Sequence, residues 1–285
     1  MTPSIRGPEG RPNLRRGVII LPSAFTMANL FFGVWAIVSA AEGQLIWAGW
    51  FIIFSGILDM LDGRIARFTR TGSGFGAELD SLVDAISFGV APGLILYYQF
   101  YSVGTWSWLI SFIYVSAVVV RLARFNVEQS GGAKRYFLGL PSTTAGMTLA
   151  AFYPFSQTPL FQEQLSTLPW AQVMGVMTIL LCALLLSHIP YAKVPRVTFR
   201  SPKGIFTSAL MFGGMIAAIT VPRYYFFPAL VLYILWGLVK AFLLGLQEGV
   251  PDTDPLLEED DDPGDQRPID YGQLSPDRSN RTSSG

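Results

Sequence analysis

Cysteine and histidine are almost missing from this chain, which has one of each, Cys182 and His188, in 285 residues. A lone cysteine excludes an intramolecular disulfide and most cysteine metal sites, and a lone histidine excludes multi-histidine zinc chemistry. Any bound metal must therefore sit on oxygen ligands, which points to magnesium, calcium or manganese. Charge is scarce as well. Asp, Glu, Lys and Arg make up 14% of the chain, against roughly a quarter in soluble domains. That is too little to cover a water-facing surface.

Apolar residues are abundant, at 51% of the sequence with a mean hydropathy of +0.41. They recur in runs close to the roughly 20 residues that span a bilayer. Breaks between these runs predict helices near 20–41, 45–69, 75–100, 105–127, 141–158, 169–190, 204–221 and 224–246. The expected fold is all-α, a polytopic membrane bundle of about eight transmembrane helices, or a six-helix core plus two. Pro154 and Pro159 interrupt the fifth helix. Residues 1–17 form a short basic N-terminus without a clear cleavage site for a signal peptide. Residues 18–247 form the transmembrane domain. Residues 248–285 carry 11 of the 20 acidic residues among Pro, Gly and Ser, so a disordered tail is expected.

An even number of spans places both termini on one side. On that assignment 19 of the 20 Lys and Arg residues fall on the face of the termini, and only Arg223 falls opposite. The positive-inside rule then makes that face, and both termini, cytoplasmic. The expected location is a multi-pass protein of the cell membrane. No nucleic-acid partner is expected.

Outside the tail the chain has nine acidic residues, and five of them are Asp59, Asp62, Glu78, Asp80 and Asp84. The aspartates lie in or beside apolar stretches, where an ionised carboxylate costs several kcal/mol and needs a cation, a partner or water. Asp59 and Asp62 are three residues apart on one helix face, and Asp80 and Asp84 are four apart on another. The connection contains Gly72, Gly74 and Gly76, which suits a tight return between antiparallel neighbours. Two divalent cations would neutralise four such carboxylates and leave positions open for a diphosphate. Gly63 allows a close approach, Ala66 keeps the groove narrow, and Arg67 offers a planar fork for phosphate.

These residues carry a resemblance. Asp59-Met-Leu-Asp62-Gly63-Arg-Ile-Ala66-Arg67, followed by Gly76-Ala-Glu-Leu-Asp80-Ser-Leu-Val-Asp84, fills every fixed position of the D-x-x-D-G-x-x-A-R…G-x-x-x-D-x-x-x-D pattern. That pattern is the one borne by CDP-alcohol phosphatidyltransferases. The runs Leu21–Gly33, Asp80–Pro92, Arg121–Val127 and Phe137–Pro141 look like the phosphatidylserine synthase branch of that family. The resemblance implies two Mg²⁺ or Mn²⁺ ions on Asp59, Asp62, Asp80 and Asp84, with Asp84 also the general base. It implies CDP-diacylglycerol bound near Gly63, Ala66, Arg67 and Gly76, L-serine as acceptor, an active site at the cytoplasmic face, and a homodimer. A serine carboxylate needs a cation nearby. The candidates are Arg121 and Arg124 with Asn126, and then Lys134 and Arg135. Three rival readings stay open: another acceptor such as glycerol-3-phosphate, inositol phosphate or choline; a membrane prenyltransferase; and a divalent-cation transporter.

Overall fold

A computed structural model describes residues 14–69, 74–102, 104, 107–130, 139–187, 189 and 202–245. Among the described residues every regular element is a helix. They are α1 (Leu14–Ala41), α2 (Leu45–Thr69), α3 (Gly74–Asp84), α4 (Ala91–Leu96), α5 (Trp108–Ser130), α6 (Ser142–Ser156), α7 (Pro159–Gln164), α8 (Trp170–Leu186), α9 (Pro202–Thr220) and α10 (Pro222–Gly245). A π-helical segment, Ala85–Val90, joins α3 to α4, and a second, Tyr97–Tyr101, extends α4.

Among the described residues five helical stretches are long and apolar enough to cross a membrane: Ala24–Ala41, Leu45–Arg64, Phe75–Tyr101, Trp108–Val127 and Pro222–Lys240. Large apolar side chains such as Phe31, Val176, Ile219 and Leu232 face outward. That outward face suits lipid, because a helix satisfies its own backbone hydrogen bonds and needs no water. The helix positions lie near the expected ones, but five and not eight of the described stretches have the length and composition of a span, and two further differences appear. The third is not uniform, since two π segments interrupt it. The fifth stops at Ser156, and Pro159 opens the short helix α7, whose first turn is capped by Thr158 Oγ1 accepting from the Phe161 N–H. Proline fits there because the first helical residue has no intrahelical partner for its N–H.

Local chemistry fixes the connections. Helix α1 ends in a left-handed cap at Gly43 (φ 79°), where the Gln44 N–H reaches the Ser39 carbonyl at 2.8 Å and the Gly43 N–H reaches Ala40 at 3.1 Å. Only glycine adopts that conformation without penalty, and it turns the chain straight back into α2. Gly139 (φ 82°) lies against the end of α8, and Leu140 donates to the Leu184 carbonyl at 3.0 Å. A side chain at Gly139 would run into the Leu185 and Ser187 carbonyls.

Two buried clusters hold the bundle. Ala36, Ala40, Ala48, Ile52, Phe88, Ala91, Ile95 and Ala150 join α1, α2, the first π segment, α4 and α6. The alanines allow close helix approach, which dispersion rewards where lipid removes the hydrophobic drive between helices. The second cluster joins α5, α6, α8 and α10 through Tyr114, Leu149, Phe152, Met174 and Leu181. There Phe227 of α10 stacks on Phe155 at 5.2 Å and meets Phe152 edge-on, also at 5.2 Å.

The first π segment is closely packed by two glycines of neighbouring helices. Gly33 of α1 passes directly over Ser87, and Gly146 of α6 passes over the Phe88 backbone. The Tyr114 hydroxyl, fully buried, donates to the Phe88 carbonyl at 2.8 Å. A Cβ at Gly146 would lie 2.8 Å from the Phe88 oxygen and 2.9 Å from its Cα. Gly146→Val should therefore destabilise the protein by about 1–3 kcal/mol, the usual range for overpacking. The expected readout is a lower apparent Tm in detergent, with the protein still extracted from membranes. An unchanged Tm would mean that α6 can move away from the π segment freely.

Candidate metal centre and active site

Helices α2 and α3 bring the motif carboxylates together. One oxygen from each of Asp59, Asp62 and Asp80 lies within 4.8 Å of the other two. Asp84, one turn further along α3, is 9% exposed and Asp62 is 4% exposed, so both are removed from bulk water. Two unit charges 4 Å apart repel by about 4 kcal/mol at an effective dielectric constant of about 20. Neutral hydrogen bonds, each contributing about 1 kcal/mol net, do not offset several such pairs.

Three of the four aspartates are held by uncharged donors from neighbouring helices. Thr26 Oγ1 of α1 donates to Asp62 Oδ2 at 3.3 Å. Asn29 Nδ2 of α1 donates to Asp84 Oδ1 at 3.5 Å. Thr143 Oγ1 of α6 donates to Asp59 Oδ2 at 2.9 Å. The fourth differs: Asp80 Oδ1 is buried and has no hydrogen-bond partner among the described residues. A buried carboxylate oxygen without a donor, beside two other carboxylates, is what a hard divalent cation requires of its ligands. The donor set is oxygen throughout, so the residues fit a hard divalent cation such as magnesium, calcium or manganese and not a soft metal.

The surroundings leave room for a larger group. A side chain at Gly63 would meet no atom of the described residues within 4 Å. Gly76 is partly exposed in the first turns of α3. The side chains of Ala66 and Arg67, like Lys134, Arg135 and His188, lie outside the described residues.

Of the residues expected to meet the acceptor, Arg121 interacts electrostatically with both Asp59 and Asp84. Its Nη1 donates to Ser142 Oγ at 2.9 Å, and its guanidinium lies 5.4 Å from the centre of the Phe125 ring. Arg124 Nη1 reaches the Leu186 carbonyl at 3.4 Å. Asn126 bridges α5 to α3, accepting from Ser81 Oγ at 2.9 Å and donating to Glu78 Oε2 at 3.4 Å. Helix α5 continues to Ser130, so Asn126 is an interior residue and not a cap.

Sequence reasoning did not single out Thr26, Asn29, Ser55, Ser87 or Thr143. A signal was present, since an asparagine within an apolar span is costly and marks a functional position by default. The hydroxyls gave no such signal, because Ser and Thr often bond their own helix backbone.

The fold and site together define an integral membrane helical protein with a buried carboxylate centre suited to divalent cations. The CDP-alcohol phosphatidyltransferase profile matches residues 19–186. The CDP-diacylglycerol–serine O-phosphatidyltransferase of Helicobacter pylori (strain ATCC 700392 / 26695) is 31% identical over 226 residues, 79% of this chain and 92% of that one. The protein of the same name from Mycobacterium bovis (strain ATCC BAA-935 / AF2122/97) is 42% identical over 147 residues, 49% of this chain and 51% of that one. The archaetidylserine synthase of Methanothermobacter thermautotrophicus (strain ATCC 29096 / DSM 1053 / JCM 10044 / NBRC 100330 / Delta H) is 33% identical over 180 residues, 62% of this chain and 71% of that one. The chain belongs to the CDP-alcohol phosphatidyltransferase family.

Manganese binding, followed by electron paramagnetic resonance, tests the centre directly. Asp80→Asn should weaken binding most, because it takes the negative charge from the carboxylate whose buried oxygen has no hydrogen-bond partner among the described residues. Thr143→Val should weaken it by about 10–100-fold, the range seen when a group that orients a ligand is lost. Wild-type affinity in Asp80→Asn would rule out the three-carboxylate site.

Proposed function

We propose that the chain transfers a phosphatidyl group from CDP-diacylglycerol to the hydroxyl of L-serine, giving phosphatidylserine and CMP. The observation that carries this reading is the convergence of Asp59, Asp62 and Asp80 within 4.8 Å, on the motif of a family that transfers such groups. The names of the relatives supply the acceptor.

On this reading Asp59, Asp62, Asp80 and Asp84 hold two divalent cations, Mg²⁺ or Mn²⁺. Bound there, such ions supply Lewis-acid neutralisation of charge on a diphosphate. Gly63, Ala66, Arg67 and Gly76 form the cleft for the cytidine and diphosphate, with small residues giving access and Arg67 a fork for phosphate oxygens. Arg121 receives the serine carboxylate, and Arg124 and Asn126 bound the same pocket. Asp84 accepts the proton of the serine hydroxyl. The serine oxygen forms a bond to the lipid-bearing phosphorus, the bond from that phosphorus to the CMP oxygen breaks, and CMP leaves.

We further infer eight spans with both termini in the cytoplasm. The reaction then takes place where acyl chains stay in lipid while serine and CMP exchange with the cytosol. The acidic tail from residue 248 lies outside the catalytic domain, and the working unit is a homodimer.

The decisive measurement is CMP release by purified protein with CDP-diacylglycerol and Mg²⁺ or Mn²⁺. Serine, glycerol-3-phosphate, inositol phosphate and choline are compared as acceptors. CMP should form with serine, stop on addition of EDTA, and fall by about 10²–10⁴-fold in Asp84→Asn, the usual contribution of a general base. CMP formed with a different acceptor would keep the chemistry and overturn the branch. No CMP with any acceptor, from folded protein that binds Mn²⁺, would favour a cation transporter. An ether-linked donor belongs in the same assay, given the relative named archaetidylserine synthase.

Topology has its own test. In a Cys182→Ser background, Gln44→Cys should label from outside intact cells, and Lys134→Cys only after permeabilisation. Labelling of both from one side would refute the eight-span arrangement.

A further inference from the structure

Asn29 is fully buried near the middle of α1, inside an apolar span. An amide there is costly unless each of its polar atoms has a partner. It has them, from Asp84 and Ser55, and Ser87 meets the backbone carbonyl of the same residue. The Asn29 Nδ2 group faces Asp84 Oδ1 at 3.5 Å. The Ser55 hydroxyl of α2 donates to Asn29 Oδ1, and also lies 3.3 Å from the Asn29 carbonyl. The Ser87 hydroxyl, in the π segment just beyond Asp84, donates to the same carbonyl at 3.4 Å. Ser55 and Ser87 are themselves fully buried.

We propose that Asn29 is a positioning residue for Asp84, with Ser55 anchoring the oxygen of its amide. An ionised carboxylate only accepts hydrogen bonds, so the amide must turn its nitrogen toward Asp84. Its oxygen then needs a donor, and Ser55 supplies one. A flipped amide would set oxygen against carboxylate and leave Ser55 facing an N–H. The carboxylate of Asp84, which only accepts, therefore selects the orientation that directs a donor at it, and Ser55 satisfies the amide oxygen in that orientation. Ser87 holds the α1 backbone against the element that carries Asp84, and the absence of a side chain at Gly33 allows that approach. Asp84 is thus fixed relative to Asp59 and Asp62 through α1, a helix that contributes no carboxylate of its own.

This inference rests on Asp84 acting as base and metal ligand, as proposed above, and the test separates the two. Full-length protein carrying Asn29→Ala, Ser55→Ala, both together, or Asp84→Asn is compared with wild type. The readouts are steady-state CMP release, Mn²⁺ titration by electron paramagnetic resonance, and thermal unfolding. Asn29→Ala should lower kcat by about 10–100-fold, the range for loss of an orienting partner. It should leave KM for CDP-diacylglycerol within about twofold and weaken one class of Mn²⁺ site. Ser55→Ala should act in the same direction and more weakly, and should add nothing in the Asn29→Ala background, because it acts through the amide. A general packing defect would instead lower Tm and give additive losses, which would overturn the proposal. So would wild-type kcat and Mn²⁺ binding in folded Asn29→Ala while Asp84→Asn is inactive, and that result would leave the role of Asp84 standing. Full activity in Asp84→Asn would remove the role of Asp84 and this inference together. If Asn29→Ala does not fold, Ser55→Ala decides: unchanged kcat and unchanged Mn²⁺ binding would reject the proposal.

Discussion

Four carboxylates gathered among apolar helices repel one another, and the polar side chains around them are arranged against that repulsion. Helices α2 and α3 bring the charges together, and neither could do so alone, because each carries two aspartates on one face. Helices α1 and α6 supply Thr26, Asn29 and Thr143, each donating to a different aspartate. These donors are neutral. They orient the carboxylates without cancelling their charge, so the centre keeps its demand for cations. A lysine or arginine inserted into the cluster would satisfy the same charge internally and remove the reason to bind a metal. Arg121 interacts with Asp59 and Asp84 but is also tied to Ser142, at the start of α6. Its charge is thereby held beside the cluster by a second helix.

The remaining structure keeps these four helices in register. The composite third span is the most enclosed, with 56% of it buried, whereas Pro222–Lys240 is 17% buried and sits at the periphery. Small residues let α1 and α6 close on the first π segment from different sides, and Tyr114 satisfies the Phe88 carbonyl. The aromatic group of Phe152, Phe155, Phe161, Trp170 and Phe227 joins α6, α7, α8 and α10 into a second packed region.

Much of this was legible before any coordinates. Apolar run length located the helices within a few residues, because a bilayer tolerates only a narrow range of spans. The spacing of Asp59, Asp62, Asp80 and Asp84 placed them on two facing helix surfaces, because carboxylates in apolar segments are too costly to be incidental. The π segments were not legible, since one extra residue in a turn leaves no mark in a continuous apolar run. The hydroxyl donors were hidden for a related reason: a serine in a membrane helix looks the same whether it bonds its own backbone or a neighbour's side chain. The pairing of Asn126 with Glu78 and Ser81 depended on the crossing of α3 and α5, which spacing along one helix cannot reveal.

The first π segment has a consequence for how the molecule can vary. A π turn carries one more residue than an α turn, so it shifts the angular phase of everything beyond it by about 100°. The aspartates lie before that phase shift, and Ile95, Leu96 and Gln99 lie after it. The rod therefore presents its two ends to different neighbours, each on its own angular schedule. Substitutions in the distal half can retune contacts with lipid or with α5 and leave the bearing of Asp80 and Asp84 unchanged. Loss of a single residue between Ala85 and Val90 would instead turn the whole distal half against its packing. That six-residue stretch sets the angular offset between the chemical end of the rod and its architectural end.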